Sequence, residues 1–538
     1  MSILFSDVAA SFGERPLFEN VTFELHPGDQ VALIGRNGSG KTTLLRLAAG
    51  LLSPDRGSVH TVGRVVYLAQ HAQIEANSLL EAVTPAELAL ARAELARAEA
   101  ALSDPSPEHL EAYAAAEERF RLAGGWDFEP RAREVLAGLG LEAEHPASGL
   151  SGGQQRRVML ARLLLSPADT YLLDEPTNHL DWASLEWLER WIREQSATFL
   201  IVSHDRSFLD ATAQRVLELE RGSLHEYPGN YSAAMALRRT LRAAQQRDYQ
   251  AFARKAAALE AEARAAGSAA RSAGQFNHRR AGNQSLLLAK NKAESVSNTL
   301  ARKARALEKR LERMREDAPE KPFEDMLRLH VPLGEVPHGP NDVLRLENLG
   351  VARGGRTLLR GLNLSVRRGD RLALLGENGS GKSSLLSVLL GHTPAAEGEV
   401  RRGVGLELYW AGQHGEELLN LTTLEDALRS ANPALARHDL YALLAALDLP
   451  RDPQLEIARL SGGQRTRLSL ARLGITRAHL LVLDEPTNHL DPEAIDTLEA
   501  FLADYPGTVI FASHDRRLVQ RVATRRLWLE SGEWRLEE

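Results

Sequence analysis

The 538-residue chain contains no cysteine. That excludes disulfides, thiol nucleophiles and thiolate metal sites. No stretch approaches the roughly 18 uninterrupted apolar residues that a membrane helix needs. The opening residues, Met1-Ser2-Ile3-Leu4-Phe5-Ser6-Asp7, place no basic segment ahead of a long apolar run, so no secretion signal is expected. The composition that remains, 43% hydrophobic and 25% charged, is that of a soluble globular protein. A cytoplasmic location is expected. The length allows about three or four ordinary domains with large buried cores.

A net charge of −7 argues by itself against a nucleic-acid binder, but the distribution is uneven. Residues 238–316 carry 19 Lys and Arg against 7 Asp and Glu, a net of +12, which leaves −19 for the rest of the chain. An acidic body with one strongly basic segment points to a polyanion as the partner of that segment.

The chain repeats itself. Gly35-Arg36-Asn37-Gly38-Ser39-Gly40-Lys41-Thr42 returns as Gly376-Glu377-Asn378-Gly379-Ser380-Gly381-Lys382-Ser383. Leu150-Ser151-Gly152-Gly153-Gln154 returns as Leu460-Ser461-Gly462-Gly463-Gln464, and the run Leu173 to Asp181 returns as Leu483 to Asp491. Ser203-His204-Asp205 returns as Ser513-His514-Asp515. Ser to Asp spans 23 positions in both copies and Asp to His spans 30. Lys to Asp spans 133 in the first copy and 102 in the second. The extra 31 residues fall in a region rich in Ala, Glu, Arg and Leu, read as an inserted helical hairpin at about 86–125.

The resulting division is 1–231 for the first copy, 232–338 for a basic helical linker and 339–538 for the second copy. Within the linker, Ala233 to Ala266 and Lys290 to Met314 read as two long helices, with breakers at Gly267, Gly274 and Gly282 between them. Helix, tip and helix make an antiparallel hairpin. The expected fold class is α/β: two tandem phosphate-loop domains joined by a long α-helical hairpin.

Each glycine-rich loop follows an apolar strand (Gln30 to Ile34, Arg371 to Leu375) and opens a helix at Thr43 or Ser384, which is the context a phosphate loop requires. Its glycines let backbone N–H groups curl around phosphate oxygens, and the helix N-terminus adds positive potential. Lys41 and Lys382 are expected to reach the β- and γ-phosphates, and Thr42 and Ser383 to bind Mg²⁺. Asp174 and Asp484 end apolar strands, where a carboxylate can hold Mg²⁺ through water. The next residues, Glu175 and Glu485, are placed to polarise an attacking water, because phosphoryl transfer depends on positioning and charge neutralisation. His204 and His514 occupy one offset in both copies and are read as γ-phosphate contacts; Gln70 and Gln413, each after a short strand, are read as further metal-site residues.

Leu-Ser-Gly-Gly-Gln together with both phosphate loops resembles the signature of ABC ATPases. The resemblance implies that two cassettes meet head to tail with ATP between them. Lys41, Thr42, Gln70, Asp174, Glu175 and His204 would then face Ser461, Gly462 and Gly463, with Gln464 following. Lys382, Ser383, Gln413, Asp484, Glu485 and His514 would face Ser151, Gly152 and Gly153, with Gln154 following. ATP and Mg²⁺ are the implied cofactors, and hydrolysis is expected at both sites. The family also stacks adenine on an aromatic residue about 30 positions before the lysine. Phe12 takes that place in the first copy, whereas aligning back from Gly28-Asp29 and Gly369-Asp370 puts Arg353 there in the second.

Two fused cassettes, Pro-Thr-Asn-His-Leu-Asp after both catalytic glutamates, Tyr227-Pro228-Gly229-Asn230-Tyr231-Ser232 and the basic helical linker resemble the ABC-F family, over essentially the whole chain. In that family the linker enters the ribosome and reaches toward the peptidyl-site tRNA, so rRNA and that tRNA are the implied partners. Translation regulation or protection from ribosome-targeting antibiotics is the implied role. Phe276, His278, Arg279 and Arg280 at the tip, with Arg271, Lys290 and Lys292 beside it, are the candidate RNA contacts, since such side chains stack on unpaired bases and meet phosphates. A monomer with intramolecular cassette pairing and no stable membrane partner is expected. The last residues belong to the second copy, so the C-terminal coiled coil of some members linked to DNA structures is not expected. A DNA-junction binder, which shares the basic linker, and the ATPase subunit of a separate membrane transporter are the alternatives.

Overall fold

The computed structural model describes residues 2–13, 15–68, 76–104, 106–178, 180–274, 286–316, 318, 336–412, 418, 421–447, 449–488, 490, 492–530 and 532–538. It divides into two units: Met1–Ala234 together with Met326–Glu538, and Met235–Asp325. Both cassettes lie in the first unit.

Each cassette is built on a six-stranded sheet. In the first the order is Val65–Tyr67, Thr170–Asp174, Thr198–Val202, Gln30–Gly35, Arg215–Glu220 and Ser223–Pro228, all parallel but the last. In the second it is Leu408–Ala411, Leu480–Asp484, Thr508–Ala512, Arg371–Gly376, Arg525–Glu530 and Glu533–Glu537, with the same sense. The central strands read as continuous apolar runs (TFLIV, TVIFA) because both faces are covered. Register sets the chemistry. Asp174 pairs with Val202 and Asp484 with Ala512, so each acidic strand end lies beside the strand that leads to the histidine.

A three-stranded antiparallel sheet adds to each cassette, Arg15–Leu25, Ile3–Phe12 and Arg56–Thr61 in the first, and Arg356–Arg367, Asp342–Arg353 and Glu397–Arg402 in the second. It closes a core over the phosphate-loop helix. In the first cassette Ile3, Phe5, Phe18 and Leu25 meet Leu44, Leu45 and Leu33. Burying a leucine or phenylalanine contributes about 1.5–3 kcal/mol, so this packing fixes the helix that carries the lysine.

The insertion forms helices Ala86–Ala101 and Pro107–Leu122, held by Leu88, Ala91, Leu95, Ala116 and Phe120. Ser106 caps the second of them by accepting the His109 N–H at 3.2 Å, and Arg119 reaches Glu94 at 3.0 Å across the pair.

The second unit is a helical hairpin made by helices Tyr231–Gly274 and Leu286–Glu316. Leu259, Ala263, Ala266 and Ala270 bury one stripe, and Ala304 and Leu311 another. Ser297 Oγ donates to the Ala270 carbonyl at 2.8 Å and Lys303 reaches Glu262 at 2.8 Å. Gly267 does not break the helix, contrary to the sequence expectation. One glycine costs about 1 kcal/mol relative to alanine, and the good helix formers on both sides outweigh it. In the second cassette the short strand before Gln413 is Leu408–Ala411. Among the described residues, no helix is long and apolar enough to cross a membrane.

Candidate functional site

The first phosphate loop runs from strand Gln30–Gly35 to helix Lys41–Ala48. Gly35 has φ +155, and a Cβ there would run into the Leu219 carbonyl oxygen; Gly376 meets Leu529 in the same way. The loop can therefore turn this tightly only with glycine at its entry. Lys41 Nζ donates to the carbonyls of Gly35 at 2.7 Å and Arg36 at 3.2 Å. Lys382 repeats the arrangement with Gly376 at 2.8 Å and Glu377 at 3.0 Å. Both lysines are buried at 8% exposure, and burial lowers the Lys382 pKa. An anion in the loop would restore the charge neutrality that burial disfavours losing.

Beside the first loop, Thr42 Oγ1 donates to Asp174 Oδ2 at 2.8 Å, and Tyr67 OH approaches the same oxygen at 3.5 Å. A hydroxyl and a carboxylate oxygen already in contact suit Mg²⁺, which takes few protein oxygens and fills its shell with phosphate and water. Glu175 and Glu485 both have positive φ, 53 and 49. A non-glycine residue in that region carries strain of order 1–3 kcal/mol, and strand ladders on either side hold it. Each side chain faces its histidine. His204 N–H donates to Glu175 Oε2 at 3.2 Å and His204 Nε2 lies 3.2 Å from Oε1. The second pair has 3.3 Å and 3.5 Å for the same contacts.

Burial dominates the electrostatics here. It pushes Glu485 up to about 7, with Lys382 opposing and Asp484 adding to the rise. Glu175 is raised for the same reason, with Asp174 contributing. Burial and the neighbouring lysine depress His514 to about 3, so its ring is neutral. A carboxylate whose proton affinity approaches neutrality is suited to take a proton from water.

One cavity of about 1210 Å³ spans the two cassettes. Asn37, Gly38, Gly40, Lys41, Thr42 and Thr43 line it, together with Asn378, Gly379, Gly381, Lys382, Ser383 and Ser384. Asp174, Glu175, His204, Asp484, Glu485 and His514 are also on its wall. Phe12, 80% exposed, and Arg353 occupy it as counterparts. Ser39 and Ser380 turn their hydroxyls toward Gly35 and Gly376 at the entry of their loops. Ser151, Gly153 and Gln154 contribute to the wall, with Gly152 opening helix Gly152–Leu165. Ser151 and Gln154 form a capping box, Ser151 N–H to Gln154 Oε1 at 3.0 Å and the return bond at 3.3 Å. Ser461 and Gln464 form its twin at the head of Gly462–Ile475. Among the described residues, the twin pair is not on the cavity wall.

Gln70 and Gln413 lie outside the described residues, as do Phe276, His278, Arg279 and Arg280. Lys290 is in the second linker helix, and Arg271 and Lys292 are exposed on theirs.

The structure adds residues that the motif reading did not single out. Asp181 Oδ2 accepts the Asn378 N–H at 3.4 Å, from the other cassette, while Oδ1 caps its own helix through Ser184 at 3.0 Å. Its place at the end of a repeated motif was the available signal. Arg156 donates to the carbonyls of Asp174 at 3.2 Å and Glu175 at 3.4 Å; the second copy has Thr466 at that position, so repetition could not reveal it.

Comparison with known proteins agrees with this geometry. The sequence profile described as ABC transporter matches residues 18–178 and 359–488. The ATP-binding protein YdiF of Bacillus subtilis is 33% identical over 99% of this chain and 80% of its own. The ATP-binding protein Uup of Escherichia coli K12 is 32% identical over 97% and 79%. Among solved structures, the archaeal ribosome recycling factor aABCE1, in complex with the ribosomal stalk protein aP1, superposes with a TM-score of 0.58, covering 98% of this chain and 89% of that one at 17% identity. An RNase-L Inhibitor structure gives 0.56 at 16% identity, over 99% and 90%.

Proposed function

Since the chain belongs to the ABC transporter family, as an ABC-F type ATPase with two cassettes, we propose that it is a nucleotide-driven switch that binds the ribosome with its basic hairpin. The observation that carries this reading is the net +12 of residues 238–316 on an acidic body. A positive hairpin releases counterions from phosphate and gains affinity for rRNA and tRNA alike. The likeness in fold to a ribosome recycling factor supports the same partner.

In each site the loop N–H groups and Lys41 or Lys382 hold the phosphates. Thr42 with Asp174, and Ser383 with Asp484, would hold Mg²⁺, which would supply the charge neutralisation that phosphoryl transfer needs. Glu175 and Glu485 orient water and take its proton, and His204 and His514 position the γ-phosphate. Ser151 and Ser461, each at a helix N-terminus, complete the site of the opposite cassette. ATP closes the cassettes, and hydrolysis reopens them.

Both cassettes bond to Ser232, at the start of the first linker helix. Ser232 N–H donates to Asp210 Oδ1 of the first cassette at 2.6 Å, and Arg517 of the second donates to Ser232 Oγ at 2.6 Å. In this reading closure readies the hairpin for insertion toward the peptidyl-site tRNA. Regulation of translation and protection from antibiotics are both outputs of such insertion.

The test is co-sedimentation of the Glu175→Gln/Glu485→Gln protein with ribosomes, with and without ATP. ATP-dependent movement into ribosomal fractions is expected. Protein remaining at the top of a low-salt gradient under both conditions overturns the ribosome reading and makes branched DNA the next ligand to try.

A further inference from the structure

The ATP chemistry leaves a group of buried charges unused. Arg206 stands two residues after His204, and Arg516 two after His514. Each opens a short helix, Arg206–Thr212 or Arg516–Val522, and each meets carboxylates of the opposite cassette. Arg206, 3% exposed, pairs with Glu499, 2% exposed, and with Asp496, both on helix Pro492–Asp504. Its Nη2 also lies 3.6 Å from Asp515 Oδ2, the neighbour of the second-site histidine. Arg516 pairs with Glu189 on helix Trp182–Glu194, with Nη1 3.4 Å from Oε2. Arg206 to Arg516 and Glu189 to Glu499 are both offsets of 310 positions, so the two pairs are images of one another.

These contacts are stiff for an energetic reason. Separating a buried pair leaves an uncompensated charge, which is strongly destabilising. The cluster therefore keeps its pairs while other parts of the interface rearrange. Asp205 Oδ1 caps one helix through the Phe208 N–H at 2.9 Å, and Asp515 Oδ1 caps the other through the Leu518 N–H at 3.0 Å. The two helix N-termini and the histidine loops ahead of them are thus tied into one body.

We propose that Arg206 and Arg516, with Glu499 and Glu189, are positioning residues that couple the two ATP sites, so that nucleotide in one sets the histidine loop of the other. The proposal rests on two-site ATP hydrolysis and is independent of the ribosome.

The test is the ATP dependence of steady-state hydrolysis by the full chain and by Glu499→Gln, which keeps a hydrogen-bonding group for Arg206. The unaltered protein should show a Hill coefficient above 1, and the variant about 1. A merely structural role would lower thermal stability or turnover without changing the sigmoidal shape. Should Glu499→Gln not fold, Asp496→Asn, at a side chain 59% exposed, carries the same test through the other arm of the Arg206 fork. An unchanged Hill coefficient in the folded variant, or a value of 1 in the unaltered protein, overturns the coupling. Failure of the unaltered protein to bind ATP strikes the two-site reading as well.

Discussion

Glu485 shows how a single side chain can be useful and costly together. Its pKa stands at about 7 in the fold against an ordinary 4.5. Between those values the folded protein keeps a proton that the unfolded chain has released, so this group's contribution to stability falls as pH rises through that window. The difference amounts to about 3 kcal/mol above pH 7. Glu485→Gln removes the buried charge, so in the absence of nucleotide its melting temperature should exceed that of the unaltered protein at pH 8, with a smaller gain at pH 5. The same substitution with Glu175→Gln should retain ATP binding and lower turnover by roughly 10²-fold or more, the usual contribution of a general base. Normal turnover in that double variant would refute the assignment of the two carboxylates.

At the scale of elements, the long linker helix carries a residue that its fold does not require. Gly267 has helical backbone, and a Cβ there would meet nothing within 4 Å. Gly267→Ala should therefore stabilise the hairpin by about 1 kcal/mol, read as a later loss of helical circular dichroism on heating. The signature helix tests the opposite direction. Ser151→Ala removes the acceptor for the Gln154 N–H and should cost about 1 kcal/mol of stability. Turnover should drop by more than that loss explains if Ser151 also contacts nucleotide across the interface. Helix periodicity and breakers made both linker helices legible in advance, but not their lengths. Whether one glycine ends a helix depends on the summed preference of its neighbours and on the packing of residues such as Ala266 and Ala270.

For the whole molecule, charge is segregated, and the consequence is measurable in salt. Replacing Arg271 and Lys292, both exposed, with alanine should weaken ribosome binding while ATP binding stays intact. The salt slope should fall by about 1 for each phosphate that the variant no longer neutralises. An unchanged slope would exclude these two positions as phosphate contacts. The cassettes impose a second whole-molecule property. Asp181 touches the second phosphate loop and Arg206 reaches the second cassette's carboxylates, so the second phosphate loop is contacted from the first cassette.

The sequence by itself determined the repeated chemistry. A phosphate loop, a strand-ending Asp-Glu pair and a Ser-Gly-Gly-Gln helix start each depend on residues close in the chain, and local backbone geometry demands those residue types. Asp174, Glu175 and Lys41 could be named before any coordinates because their motifs carry their own context. Only the tertiary structure decided what faces what across the cassettes. Arg206 recurs as Arg516 directly after the repeated Ser-His-Asp, yet nothing local marks Glu499 or Glu189 as its partner among many helical glutamates. That choice is made by packing, which buries Glu499 opposite Arg206 and Glu189 opposite Arg516, whereas an ion pair left in water is worth little.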